Sequence, residues 1–331
     1  MSTTLREVSR APARASTTVW AGVMSIAGLS LWLAVVGMGD LVHARDLGRA
    51  IESARGQTVG PALVVTVVAL LAAEQRWPAV RRPLLARAHL VDGCFFLLFA
   101  IAVVPLLTLV ETGFALEIVR HASFLVLARL ALAPRLVVVT AMLVGIDGMN
   151  WCAHVANHRS ATLWRLHALH HSQEDMSVLT TFRTHPLVHA SYLPALLPAL
   201  MLGASGTVPA AALIVYGCLV TLPHANLSWR LGPLGRVVVS PAYHRTHHAR
   251  HVSGRATVNF GFVLVVWDQL ARRAEFPVAG PPVLTGIAGR PVPVEQAVPV
   301  APGGRRPELA HLVLAQLAQP FRRSSTVDGP S

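Results

Sequence analysis

Long apolar runs separated by short arginine-bearing stretches set the pattern of this chain. Runs near 18–39, 58–73, 91–110 and 136–151 read as helices that cross a hydrocarbon layer of about 30 Å. A further apolar stretch at 190–223 is broken by Gly203, Gly206 and Pro209, which predicts two half-length or tilted helices joined as a hairpin. The stretch 112–134 is interrupted by Glu117, Arg120, His121 and Arg129 and reads as an interfacial helix. The loop at 74–90 carries Arg76, Arg81, Arg82 and Arg87, whereas 40–57 balances Arg45, Arg49 and Arg55 against Asp40, Asp46 and Glu52. The excess of positive charge places the first loop in the cytoplasm and leaves the second outside. With the N-terminus inside, residues 152–190 and 224–272 then face the cytoplasm. The expected fold is an all-α, integral membrane helical bundle of about four spans plus a broken hairpin, with a cytoplasmic helical cap.

Composition agrees. Of 331 residues, 53% are hydrophobic and 13% charged, with a mean hydropathy of +0.53, against roughly one quarter charged in soluble domains. All 28 basic residues are arginine, and they outnumber 16 acids to give +12. Such an excess keeps loops cytoplasmic and touches anionic headgroups; no basic face interleaved with aromatics accompanies it, so no nucleic-acid partner is expected. Cys94, Cys152 and Cys218 stand alone in apolar stretches and read as packing residues. Arg6, Arg10 and Arg14 precede the run at 18–39, which is long enough to span and lacks a clean cleavage site, so it reads as a retained span. From Phe276 onward Pro277, Pro281, Pro282, Pro291 and Pro293 mark a tail expected to bury little core, with a short helix near 307–319. Three regions follow: N-terminal transmembrane and interfacial helices at 1–134, a histidine-rich domain at 135–272 and the tail at 273–331.

The chemistry lies in the middle region. Of sixteen histidines, twelve fall between His154 and His251. Asp147, Trp151, His154 and His158 follow one another at offsets of 4, 7 and 11 residues from the first, along one face of a helix. His167-Ala-Leu-His170-His171 and His244-Arg-Thr-His247-His248 repeat a second pattern, in which the first, fourth and fifth residues share a face and three imidazoles converge from one turn. His224 adds a ring from another direction. Neutral imidazole suits zinc, iron and copper, and eight or nine rings exceed the need of one ion but match two. Isolated His43, His89, His121 and His311 read as surface or packing residues.

Between 152 and 272 the only acids are Glu174, Asp175 and Asp268, so the Glu-x-x-His pairs of soluble di-iron bundles cannot be built. The glutamate of a zinc metalloprotease motif is also missing beside His154. A zinc-dependent membrane hydrolase and a non-enzymatic metal-binding membrane protein remain as alternatives.

At these residues the chain resembles the fatty acid hydroxylase and sterol desaturase superfamily of membrane histidine-box oxygenases. The likeness extends to Trp164-Arg165-Leu166-His167, His170-His171-Ser172, Arg183-Thr184-His185-Pro186, His224-Ala225-Asn226, Pro241-Ala242-Tyr243-His244, Asn259-Phe260-Gly261 and Trp267-Asp268, covering about 135–272. Three places depart from the family's pattern: His189 stands near where an acid often follows His-Pro, Leu270-Ala271-Arg272-Arg273 follows Trp-Asp, and Ser228 replaces an additional histidine of some relatives.

The resemblance implies a pair of iron ions, replaceable by zinc in purified protein, held by His154, His158, His167, His170, His171, His224, His244, His247 and His248. It also implies oxygen-dependent hydroxylation or desaturation of a lipid such as a sterol, fatty acyl chain or carotenoid, at the cytoplasmic side of a multi-pass membrane protein. Asp147, Asn157, Asn226, Asn259 and Asp268 are expected to accept ring N–H bonds and orient those ligands. Trp151, Trp164 and Trp267 read as interfacial anchors ahead of cavity lining. His185, His189 and His251 stay outside the ligand set. The sequence has no dinucleotide fingerprint, cysteine cluster or haem motif, so an external ferredoxin, flavoprotein or cytochrome is the expected electron donor.

Overall fold

The computed structural model describes residues 60–83, 86–125, 133–202, 207–250, 257–288 and 308–321. The expected span at 18–39, the loop at 40–57 and His251 lie outside them. The described residues are mostly helical and hold no strand, only isolated bridges such as Val238↔Leu264.

Helix α1, Pro61–Arg76, starts on a proline whose missing N–H costs nothing at that position. Helix α2 runs from Arg87 to His121, 35 residues, or about 52 Å at 1.5 Å per residue. Its middle, Phe99–Val103, is π-helical. Pro105 stands two residues beyond it, and its ring would clash with the carbonyl of Ile101, four residues back, which the wider turn relieves. The separate interfacial helix expected from residue 112 is corrected here: residues up to His121 continue α2. Glu117 makes this continuation feasible by pairing with Arg120 at 3.2 Å and lying 3.4 Å from His121, so this acid and this arginine neutralise each other on a single face.

Helix α3, Arg135–Arg159, has 25 residues. Both α2 and α3 are long and apolar enough to cross a membrane. Leu97, Ile101, Leu106, Leu136 and Val137 are exposed on them, as suits faces turned to lipid rather than water. Ser160 then caps α4, Ala161–His171, through the Leu163 amide. In the stretch expected to form the broken hairpin, a 3-10 segment, Pro186–Leu196, runs into α5, Leu197–Met201, and α6, Thr207–Leu219, follows beyond residues 203–206, which lie outside the described residues. Its residues Ala195, Ala199, Ala212 and Tyr216 pack on Val139, Met142 and Ile146 of α3. Short elements α7, Pro241–His247, and α8, Val266–Leu270, complete the central region.

Two expectations change. Cys152 is exposed on α3 and does not pack inside. In the tail, α9, Leu309–Ala318, buries Leu312 among Val91, Phe95, Trp164 and Leu169, with Leu309, Val313 and Leu317 alongside. Its apolar positions recur at helical spacing, which a count of prolines over the whole tail conceals.

Candidate metal centre

His154 and His158 stand on the last two turns of α3, His167, His170 and His171 on α4, His224 at the end of a 3-10 turn, Leu222–His224, and His244, His247 and His248 on α7 and its cap. All nine are buried. They assemble into two groups: His154, His158, His167, His171 and His247 in one, His170, His224, His244 and His248 in the other. Within each, one nitrogen per ring lies within 4.8 Å of the others. Each H-x-x-H-H pattern therefore serves both groups and does not converge on one point. His167 and His171 enter the first group and His170 the second; His244 and His248 enter the second and His247 the first. Helix geometry explains the division, because residues four apart nearly superpose in projection while neighbours diverge by about 100°. His171 and His248, one from each group, stack with centroids 4.2 Å apart.

These rings fit metal ions on three observations. The Nε2 atom of His224 lies 3.0 Å from that of His170 and 3.0 Å from that of His244, and His167 and His171 Nε2 are 3.2 Å apart. Two nitrogens bound at right angles to one ion at about 2.1 Å stand about 3.0 Å apart. Second, Nδ1 of His154 meets the Phe260 carbonyl at 2.8 Å and that of His247 the Val258 carbonyl at 2.7 Å. A carbonyl only accepts, so each Nδ1 carries the proton and each Nε2 presents a lone pair; both Nε2 atoms are buried without a hydrogen-bond partner. Third, burial drives the ring of His170 down to about pKa 3 and those of His167, His171, His244, His247 and His248 well below the ordinary value, so the rings are neutral at physiological pH, the form in which imidazole can bind a metal.

The carboxylates and amides around the centre act one step further out than expected. Asp147 accepts from Tyr216, Trp267 and the Val263 and Leu264 amides. Asp268 accepts from Trp151, Tyr243 and the Phe260 and Gly261 amides. Asn157 donates to Ser191, Asn226 binds Val80 and Arg245, and Asn259 binds the Tyr243 and Glu275 backbone. Among the described residues, these five have no hydrogen bond to an imidazole. Asp268 instead accepts from the Gly261 amide, fixing the peptide whose Phe260 carbonyl orients His154.

Trp151 and Trp267 serve the same purpose: Asp147 and Trp151, four residues apart on α3, reach across to Trp267 and Asp268 at α8 in two reciprocal bonds of 2.9 and 2.8 Å. Gly148 between them permits the approach, since a Cβ there would sit 3.0 Å from the Trp267 ring. Trp164 packs on His158 and His171.

Two acidic residues carry no signal in the sequence. Asp92 of α2 pairs with Arg183 at 3.0 Å, both fully buried, and accepts from Gln173 and Thr180 just beyond α4. Glu74 of α1 accepts from the Val178 and Asn226 amides. Single acids in apolar helices carry no periodic signal, although their cost in such surroundings marks them as paired. His185 caps the 3-10 segment through the Leu187 amide, and His189 meets Thr184; neither enters the two groups. Ser228 is exposed.

The fatty acid hydroxylase family profile matches residues 139–272. An ornithine lipid hydroxylase of Rhizobium tropici is 35% identical over 175 residues, 52% of this chain and 47% of that protein. An alkylglycerol monooxygenase of Caenorhabditis elegans is 27% identical over 145 residues, 43% of this chain and 28% of that one, and its counterpart in Homo sapiens is 29% identical over 132 residues, 38% and 28%. The chain thus spans about half the length of the first relative and just over a quarter of the other two. No solved structure matches. All nine histidines of the two groups lie within residues 139–272, the segment of this chain that is similar to the fatty acid hydroxylase family.

Proposed function

We propose that the protein is a membrane-bound di-iron oxygenase that hydroxylates or desaturates a lipid, with oxygen and electrons from an external donor. The observation that carries this reading is the pair of all-imidazole groups, nine buried rings in two sets. His154, His158, His167, His171 and His247 would hold one ion, and His170, His224, His244 and His248 the other. A pair of iron ions bound there supplies the oxygen chemistry that an unactivated C–H bond requires.

The chain's own residues do the rest. Phe260 and Phe262 pack edge-on against His154; Phe260 is buried and Phe262 only partly so, so Phe262 would mark the side from which a substrate approaches. Tyr192 lies against Phe262 and would line the approach of an apolar substrate. The Val258 and Phe260 carbonyls keep the His247 and His154 rings turned inward. A lipid substrate accords with the names of the relatives, a lipid hydroxylase and two alkylglycerol monooxygenases, and with the apolar outer faces of α2 and α3. A multi-pass arrangement with the centre on the cytoplasmic side accords with the arginine-rich 74–90 loop.

The test uses iron-loaded protein in bilayers with labelled oxygen and a reduced ferredoxin and its reductase. One labelled oxygen atom in a lipid product identifies a hydroxylase, and loss of two hydrogens without label a desaturase. A single zinc ion with oxygen-independent lipid cleavage would establish the hydrolase instead.

A further inference from the structure

Residues 284–286 lie beyond the matched domain, in the tail, yet they touch the stretches that leave both H-x-x-H-H patterns. Thr285 is 3% exposed, forms a bridge with Ala249 and donates its hydroxyl to the Glu174 carbonyl at 2.8 Å. Glu174 stands three residues after His171. On the other side, the Arg250 amide donates to the Leu284 carbonyl at 2.8 Å and the Gly286 amide to the His248 carbonyl at 3.3 Å. The Arg250 guanidinium and the Glu174 carboxylate pair directly, closing the loop between the two stretches. Gly286 has φ +110, and a Cβ there would approach Glu174 Cγ at 3.0 Å, so both conformation and space demand glycine. His171 and His248, from which these two stretches lead, stack on each other at 4.2 Å and form one of the ring contacts between the two imidazole groups.

We propose that Leu284–Gly286 form a clasp that fixes the spacing of the two imidazole groups, making the tail a working part of the metal centre. Thr285, Gly286 and Glu174 are positioning residues, acting through the backbone at His248 and the chain following His171. The inference rests on the metal reading above. Outer contacts of this kind alter metal affinity about 10–100-fold.

The test is a chelator titration of the full-length, metal-loaded protein, counting ions retained per chain, alongside the thermal midpoint of the metal-free form. Thr285→Val and Gly286→Ala are expected to release one ion at chelator concentrations about tenfold lower than the wild type, and Thr285→Ser to behave as the wild type. The metal-free midpoint should move little in Thr285→Val. Variants that hold both ions as firmly as the wild type would overturn the clasp. So would loss of both ions together with a matching fall in the metal-free midpoint, which is general destabilisation. A wild-type chain that never holds two ions would instead overturn the metal reading, and the clasp with it.

Discussion

Arg183 and Asp92 show what a single buried pair does for this site. Both side chains are fully buried, and Arg183 also donates to Ser172 and to the Leu169 carbonyl, tying α2 to the end of α4 where His170 and His171 stand. Removing one partner strands the other charge, at a cost of about 3–5 kcal/mol. Asp92→Ala should therefore lower the thermal midpoint of the purified protein by several degrees and release metal during heating at lower temperature. An unchanged midpoint would show that Arg183 finds another acceptor. The sequence displays Arg183 within Arg-x-His-Pro but not its partner, because Asp92 sits ninety-one positions earlier in a run of apolar residues. The nine histidines were legible for the opposite reason: their local spacings, at i, i+3 and i+4, are those by which a helix stacks its side chains. Which rings of one pattern join which of the other was not legible, since the pairing of His167 and His171 with His247, and of His170 with His244 and His248, depends on how α4 and α7 meet.

Among the elements, α9 most clearly separates composition from structure. Its surroundings are rich in proline, glycine and arginine, yet Leu312 is buried against Trp164, and Trp164 in turn packs on His158 and His171. A Leu312→Ala substitution removes a packed side chain and should cost about 2–5 kcal/mol, read as a lower thermal midpoint. If α9 were only loosely docked, the same variant would be indistinguishable from the wild type. Helix α2 teaches a related lesson: the polar residues that suggest an ending at about 112 are those that let the helix continue, because Glu117 pairs with Arg120 and lies beside His121 on the same face. Charge along a helix marks a boundary only when its partners are elsewhere.

For the molecule as a whole, the buried imidazoles tie stability to protons. Burial places the ring of His170 at about pKa 3 and holds those of His167, His171, His244, His247 and His248 well below their ordinary value. The unfolded chain takes up protons near pH 6.5, where the folded chain does not, so stability from these groups is fully present above about pH 6.5 and is lost as pH falls below it. The metal-free protein should show a level thermal midpoint above that value and a steep decline toward about pH 5; a flat profile would mean that the rings protonate without penalty. Bound metal shifts the decline to lower pH, since ion and proton compete for the same lone pairs.

Two imidazole groups that each hold an ion are tested most directly by the number of iron ions per chain in anaerobically loaded protein. Two per chain in the wild type, falling to one in His154→Ala and to one in His244→Ala, is the predicted result. One ion in the wild type, or a count that neither substitution changes, would contradict it.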